Sequence, residues 1–138
     1  MQLNPYLFYN DNCEAAFKFY EKVLGGKIEM MLRADEGPAD MKPGPGREKL
    51  IMHARMSIGG GHILMASDSP PEHFNKPQGF SVSLTIADTA EAERKFNALA
   101  ENGSLNMPFG KTFFSKGFGM CVDQFGIPWM VNSPLEGM

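Results

Sequence analysis

Of the three histidines in the chain, His53 alone lies in a pattern that could organise chemistry. It falls in the stretch Ile51-Met52-His53-Ala54-Arg55-Met56, and Gly59-Gly60-Gly61 separates that stretch from His62-Ile63-Leu64-Met65-Ala66-Ser67-Asp68. If the three glycines join two strands as a hairpin, Ile58 lies opposite His62 and His53 opposite Ser67, and opposed residues share a face. One face then holds Met52, Ala54, Met56, Leu64 and Ala66, all apolar. The other holds His53, Arg55, Met65 and Ser67, the make-up of a ligand-binding surface with a few placed polar groups. The alternative is an ordinary solvated sheet face. An imidazole near the carboxylate of Asp68 would serve as a general base, with Arg55 holding a carboxylate or enolate. The competing roles are structural: a histidine hydrogen-bonded to Ser67, and an aspartate that forms the turn before Ser69-Pro70. His62 sits at the hairpin end, and His73 lies in a proline-rich connector where solvation is expected.

A second candidate is Lys111-Thr112-Phe113-Phe114-Ser115-Lys116-Gly117-Phe118-Gly119. A hairpin here would bring Phe114 and Phe118 to the rim of a site, where aromatic faces clamp a flat or apolar ligand and Lys111 and Lys116 attract an anion. A plain glycine-rich hairpin explains the same residues. Cys13 and Cys121 cannot build a disulfide framework, which points to a reducing cytoplasm, and each reads as core filler or as a reactive thiol.

The elements that must position these residues follow from periodicity. Residues 3–9 read as a strand whose Pro5 implies an edge, and Asn12 then caps a helix with Ala16, Phe19, Tyr20 and Val23 on one stripe, stopped by Gly25-Gly26. Strands follow at 27–33, 49–58 and 62–67, with a mobile proline- and glycine-rich loop over 34–48. The order repeats. A strand at 79–87 leads to a capping box, Asp88 with Glu91, and to a helix stripe of Ala92, Phe96 and Leu99; three strands follow near 105–112, 117–123 and 127–133. The offset between the two copies is 76 residues. Alternation turns Phe80, Val82, Leu84 and Ile86 toward the helices and Ser81, Ser83 and Thr85 away from them. It turns Asn4, Tyr6 and Phe8 away in the first strand, and Pro128, Met130 and Asn132 away in the last, with Ile127, Trp129 and Val131 in the core.

The composition, 43% apolar and 21% charged with net charge −3, is that of a globular domain, and 138 residues fit one. No Lys/Arg block offers a nucleic-acid face, and no apolar run approaches a membrane span.

Asn4-Pro5-Tyr6-Leu7-Phe8-Tyr9, Cys13-Glu14-Ala15-Ala16-Phe17-Lys18-Phe19-Tyr20, the His62–Asp68 segment and Asp123-Gln124-Phe125-Gly126-Ile127-Pro128-Trp129 together resemble the PhnB-like branch of the vicinal-oxygen-chelate superfamily, which has the glyoxalase, bleomycin-resistance and extradiol-dioxygenase fold. The resemblance implies an α+β fold of two βαβββ modules that form a cup-shaped mixed β-sheet with helices on the outer face. It implies one domain over 1–138, with modules at about 1–67 and 79–134 joined by a connector at 68–78. The methyltransferase activity attached to parts of that branch is not carried over, because no glycine-rich strand-to-helix turn for S-adenosylmethionine is present. Superfamily members that use a metal take ligands from strands that here place Asn4, Met65, Ser81 and Met130, a set without imidazole or carboxylate. The expectation is therefore a metal-independent binder of a small apolar or anionic molecule, without cofactor, contacted by Asn4, Tyr6, Phe8, His53, Arg55, Met65, Ser67, Ser81, Ser83, Phe114, Phe118 and Met130. Expected too are a cytoplasmic homodimer and no nucleic-acid or membrane partner. The alternatives are a lyase or isomerase with His53 as base, and a divergent metal enzyme with ligands elsewhere.

Overall fold

A computed structural model of the chain describes residues 1–136. Two compact units divide it, Met1–Asn75 and a second that begins at Lys76, and each is one βαβββ module. The first holds β1 (Tyr6–Tyr9), α1 (Cys13–Leu24), β2 (Lys27–Arg33), β3 (Ile51–Ile58) and β4 (His62–Asp68). The second holds β5 (Val82–Thr85), α2 (Thr89–Ala100), β6 (Ser104–Gly110), β7 (Ser115–Val122) and β8 (Pro128–Pro134). Each forms a four-stranded mixed sheet, in the orders β1-β4-β3-β2 and β5-β8-β7-β6, with its one parallel pair at the edge that carries the first strand. The α+β repeat expected from the sequence is the architecture found.

One face of each sheet is closed by its own helix, and the core lies between them. In the first module Cys13, Ala16, Phe17, Tyr20 and Leu24 pack from α1 onto Leu7, Tyr9, Ala54, Met56, Leu64 and Ala66. The buried stripe is rotated from the expected one: Phe17 and Leu24 are inside, while Phe19 and Val23 only flank it. The helix ends on Gly25 in the left-handed conformation at φ 75°, which glycine adopts without steric cost. In the second module Ala92, Phe96 and Leu99 form the predicted stripe against Trp129, Val131 and Cys121. Here α2 sits close to β7, and a Cβ on Gly119 would meet the Phe96 ring at 2.7 Å.

Two face assignments change. Met52 is exposed, and Ile51 takes the core place, because β3 carries an extra residue where Leu32 pairs with His53 and Arg33 with Ile51. Such a bulge reverses the alternation beyond it. Phe80 precedes β5, which starts only at Val82, and is half exposed instead of packed on the helix. The 34–48 segment contains two short 3-10 turns, Ala34–Glu36 and Ala39–Met41. Its ends are tied by Lys49 to Asp35 at 3.0 Å, by Arg33 to Glu14 at 2.7 Å and by the paired Arg47–Glu72 contacts at 2.9 and 3.0 Å.

Candidate functional site

With the helix on one side, each sheet leaves an open face. On the first, the register places Tyr6 beside Met65, Met65 beside Arg55 and Arg55 beside Met30, a row across all four strands. A second row runs Phe8, Ser67, His53, Leu32: Phe8 pairs with Ser67 and Leu32 with His53, and the hairpin register from Ile58–His62 to Ala54–Ala66, continued one step, sets His53 beside Ser67. The hairpin is thus in the predicted register, with Gly60 and Gly61 supplying the positive φ of its turn.

Met30 reaches this face through a second bulge. Ile28 pairs with Met56 and Met30 with Arg55, so Glu29 is the extra residue. Its carboxylate approaches Arg55 Nε at 3.3 Å, and the two side chains are 44% and 40% exposed. The contact lacks the alignment of a hydrogen bond, since Arg55 Nε is buried without a partner in that stricter sense. It is a loose ion pair, which leaves the rest of the guanidinium fork able to take an anion.

The phenol of Tyr6 reaches over β4 to His53. Its oxygen lies 3.2 Å from Nδ1, and the rings stack at 5.8 Å and 29°. Phe8 packs on Tyr6 at 5.1 Å. His53 is therefore oriented by Tyr6, where the sequence had suggested Ser67 or Asp68. Asp68 is committed elsewhere: one carboxylate oxygen accepts the Cys13 N–H at 3.0 Å and the other the Ile51 N–H at 2.8 Å. Burial raises its proton affinity, opposed by those two bonds and a third to the Asp11 backbone. It ties α1 to β3, and is neither a partner of the imidazole nor a simple turn residue. Asn12, at the N-cap, makes no side-chain cap bond.

The second open face carries the rows Ser83, Met130, Met120, Met107 and Thr85, Asn132, Phe118, Gly110. Phe114 meets Phe118 edge-on at 5.1 Å, and Phe113 meets Phe114 at 5.3 Å. Lys116, which the sequence had offered to an anion, donates one of its three N–H groups to the Ala87 carbonyl at 3.3 Å. Asn4 and Ser81 precede the first residues of their strands, and Asn4 makes an exposed side-chain contact with Gln2 at 3.4 Å. His62 and His73 are exposed.

Both cysteines are buried in the helix-facing core. Burial pushes both thiols up, Cys121 to about 11 with help from Asp123, and Cys13 further with help from Asp68 and Glu14. Core filler is the role these surroundings support. A cleft of about 440 Å³ lies among the loops near Asn10, Asp11, Gly46, Arg47 and Ser69, and none of its lining residues belongs to an open face.

Sequence reasoning missed four residues of the open faces. Met120 was legible, since it alternates with Phe118. Met30, Leu32 and Met107 were not, because bulges in the edge strands break the period of two on which a face assignment rests.

Two βαβββ modules, each with a helix on one sheet face and an open face on the other, define the class. The glyoxalase/bleomycin resistance protein/dioxygenase superfamily model matches residues 2–131, and the chain belongs to that family. It is 33% identical over 140 residues to protein YjdN of Escherichia coli K12, covering 96% of this chain and 95% of that one. Among solved structures it resembles protein PA1353 of Pseudomonas aeruginosa, at 47% identity and a TM-score of 0.88 over 96% of both chains. It also resembles a PhnB protein of Bacillus cereus, at 28% identity and a TM-score of 0.80 over 96% of this chain and 98% of the other. The divalent metal implied by the superfamily does not fit the residues present. Met65 and Met130 do lie on open faces, but their paired neighbours are Tyr6 and Ser83, and thioether with hydroxyl is a poor set for Ni, Zn or Fe. Among the described residues no three His, Cys, Asp or Glu side chains converge. No helix among them is long and apolar enough to cross a membrane.

Proposed function

We propose that the chain binds a small molecule with an apolar body and an anionic group on the open face of the first sheet, without a divalent metal. One observation carries this reading: Tyr6, Phe8, Met30 and Leu32 remain 37%, 53%, 45% and 41% exposed on the same face as Arg55 and His53. Apolar groups grouped around a cation are costly to leave in water and useful only when covered. Tyr6, Phe8 and Met65 would take the apolar body, Arg55 the anion, and His53 and Ser67 further polar contacts. Ser83, Met130, Phe114 and Phe118 offer a second apolar surface on their own sheet; Asn4 and Ser81, outside the strands, have a smaller part. The probe is 1-anilinonaphthalene-8-sulfonate, followed by fluorescence. We expect saturable binding that Arg55→Ala weakens about tenfold, the scale of one charge-assisted hydrogen bond. Unchanged binding in that variant, or none in the parent, contradicts it. Elemental analysis of untagged protein should find Ni, Zn, Fe and Mn well below one equivalent, against the metal-enzyme alternative. A homodimer in the cytoplasm completes the proposal, and a light-scattering mass of one chain at micromolar concentration opposes it.

The Tyr6–His53 contact favours one second reading, a lyase or isomerase. If Nδ1 carries the proton and donates it to the phenol oxygen, Nε2 is free to accept one from a substrate. His53→Ala should then lower turnover by roughly 10²–10⁴-fold while probe affinity changes little. Equal loss of affinity and turnover would assign His53 to binding.

A further inference from the structure

We infer that Met107, Met120 and Met130 form a thioether site for one soft monovalent cation, Cu(I), on the open face of the second sheet. The register sets Met130 directly beside Met120 and Met120 beside Met107, on three adjacent strands. The outer two stand two strand spacings apart, roughly 9.5 Å. Unbranched side chains with three rotatable bonds can lean inward over the central one to bring three sulfurs around one ion. Met107 holds this place through a bulge. Leu105 pairs with Cys121 and Met107 with Met120, so Asn106 is the extra residue; without it the amide of Asn106 would oppose Met120. Bulges commonly re-aim a side chain in this way.

The surroundings select the ion. The two rows contain Ser83, Thr85, Asn132 and Phe118 but no carboxylate, imidazole or thiolate, so a borderline divalent ion lacks its usual donors, whereas thioethers select Cu(I). Cys121 is next in sequence to Met120, but it points into the helix-facing core. The first sheet has no such site, because Arg55 stands where Met120 stands and its charge repels a cation. The inference does not depend on ligand binding at the first sheet.

The test titrates the full chain with Cu(I) under ascorbate against the bicinchoninate complex. One equivalent should transfer, and with [methyl-¹³C]methionine the Met107, Met120 and Met130 signals should shift while Met30 and Met65 stay in place. Met120→Leu, close in volume, should weaken uptake about tenfold or more; Met30→Leu should not. No transfer, uptake undiminished in Met120→Leu, or uptake lost with Cys121→Ala in place of the methionine variants each overturns the site and leaves the row as apolar lining.

Discussion

Across the first sheet one row reads Tyr6, Met65, Arg55, Met30; across the second the corresponding row reads Ser83, Met130, Met120, Met107. The next pair of rows sets Phe8, Ser67, His53 and Leu32 against Thr85, Asn132, Phe118 and Gly110. The strands, the helix and even the edge-strand bulge at Glu29 and Asn106 recur, and two methionines of the first row recur with them. What differs is the centre: a guanidinium and an imidazole in one module, a thioether and a phenyl ring in the other. Core residues are held by packing, where a change of one methylene is felt. Open-face residues contribute little to folding, so one frame can carry two chemistries. On the readings proposed above, an anionic group would go to the first face and a soft or apolar one to the second.

The largest test of the shared frame concerns its anchoring aspartates. Asp123 is buried and accepts from Phe125 N–H, Ile127 N–H and Trp129 Nε1–H at 2.8, 3.0 and 2.7 Å. Asp123→Ala should cost about 4 kcal/mol in urea unfolding, and Asp68→Ala, whose less buried carboxylate bonds the Cys13, Ile51 and Asp11 backbone, about 3 kcal/mol. A loss below 1 kcal/mol for either would remove it as an anchor. Next comes the close approach of α2. Gly119→Ala should cost about 1–3 kcal/mol, because the Phe96 ring must yield; the first module has Ala54 in the equivalent place. An unchanged urea midpoint would show that the helix shifts freely.

The smallest effect is acid sensitivity. Glu14 bonds Arg33 at 2.7 Å and Lys18 at 3.0 Å, and chiefly the Arg33 hydrogen bond holds its carboxyl at about 2, well below the ordinary 4.5. A lowered folded-state value contributes stability that is complete above pH 4.5 and fades as pH falls toward 2. Its side chain is one-third exposed, so solvent screening leaves about 1 kcal/mol or less. Glu14→Gln should flatten that part of the stability–pH curve, and a curve identical to the parent's would dismiss the contact. The second module has Ala90 at the matching helix position and should lack this dependence.

The fold was legible because its signals are local. Gly25, Asp88 as a cap accepting from Ala90 and Glu91 N–H, and the alternation of Trp129 and Val131 each specify their own element. The hairpin was legible too, since Gly59-Gly60-Gly61 fixes one register, and with it the faces of His53, Arg55 and Met65. What the sequence hid depends on neighbours distant along the chain. Tyr6 orients His53 across 47 residues, Asp68 reaches back 55 residues to the Cys13 N–H, and the edge bulges decide which methionine faces out. No period or motif in a single strand carries that information.

The proposed division of labour between the two faces can be tested in one experiment. Protein labelled with [methyl-¹³C]methionine is titrated with 1-anilinonaphthalene-8-sulfonate, and the methyl signals are followed on both sheets. If the first face takes the anionic ligand, Met30 and Met65 should shift and saturate together, and Arg55→Ala should abolish or greatly weaken both shifts. Shifts confined to Met107, Met120 and Met130, or shifts at Met30 and Met65 that persist unchanged without Arg55, would contradict it.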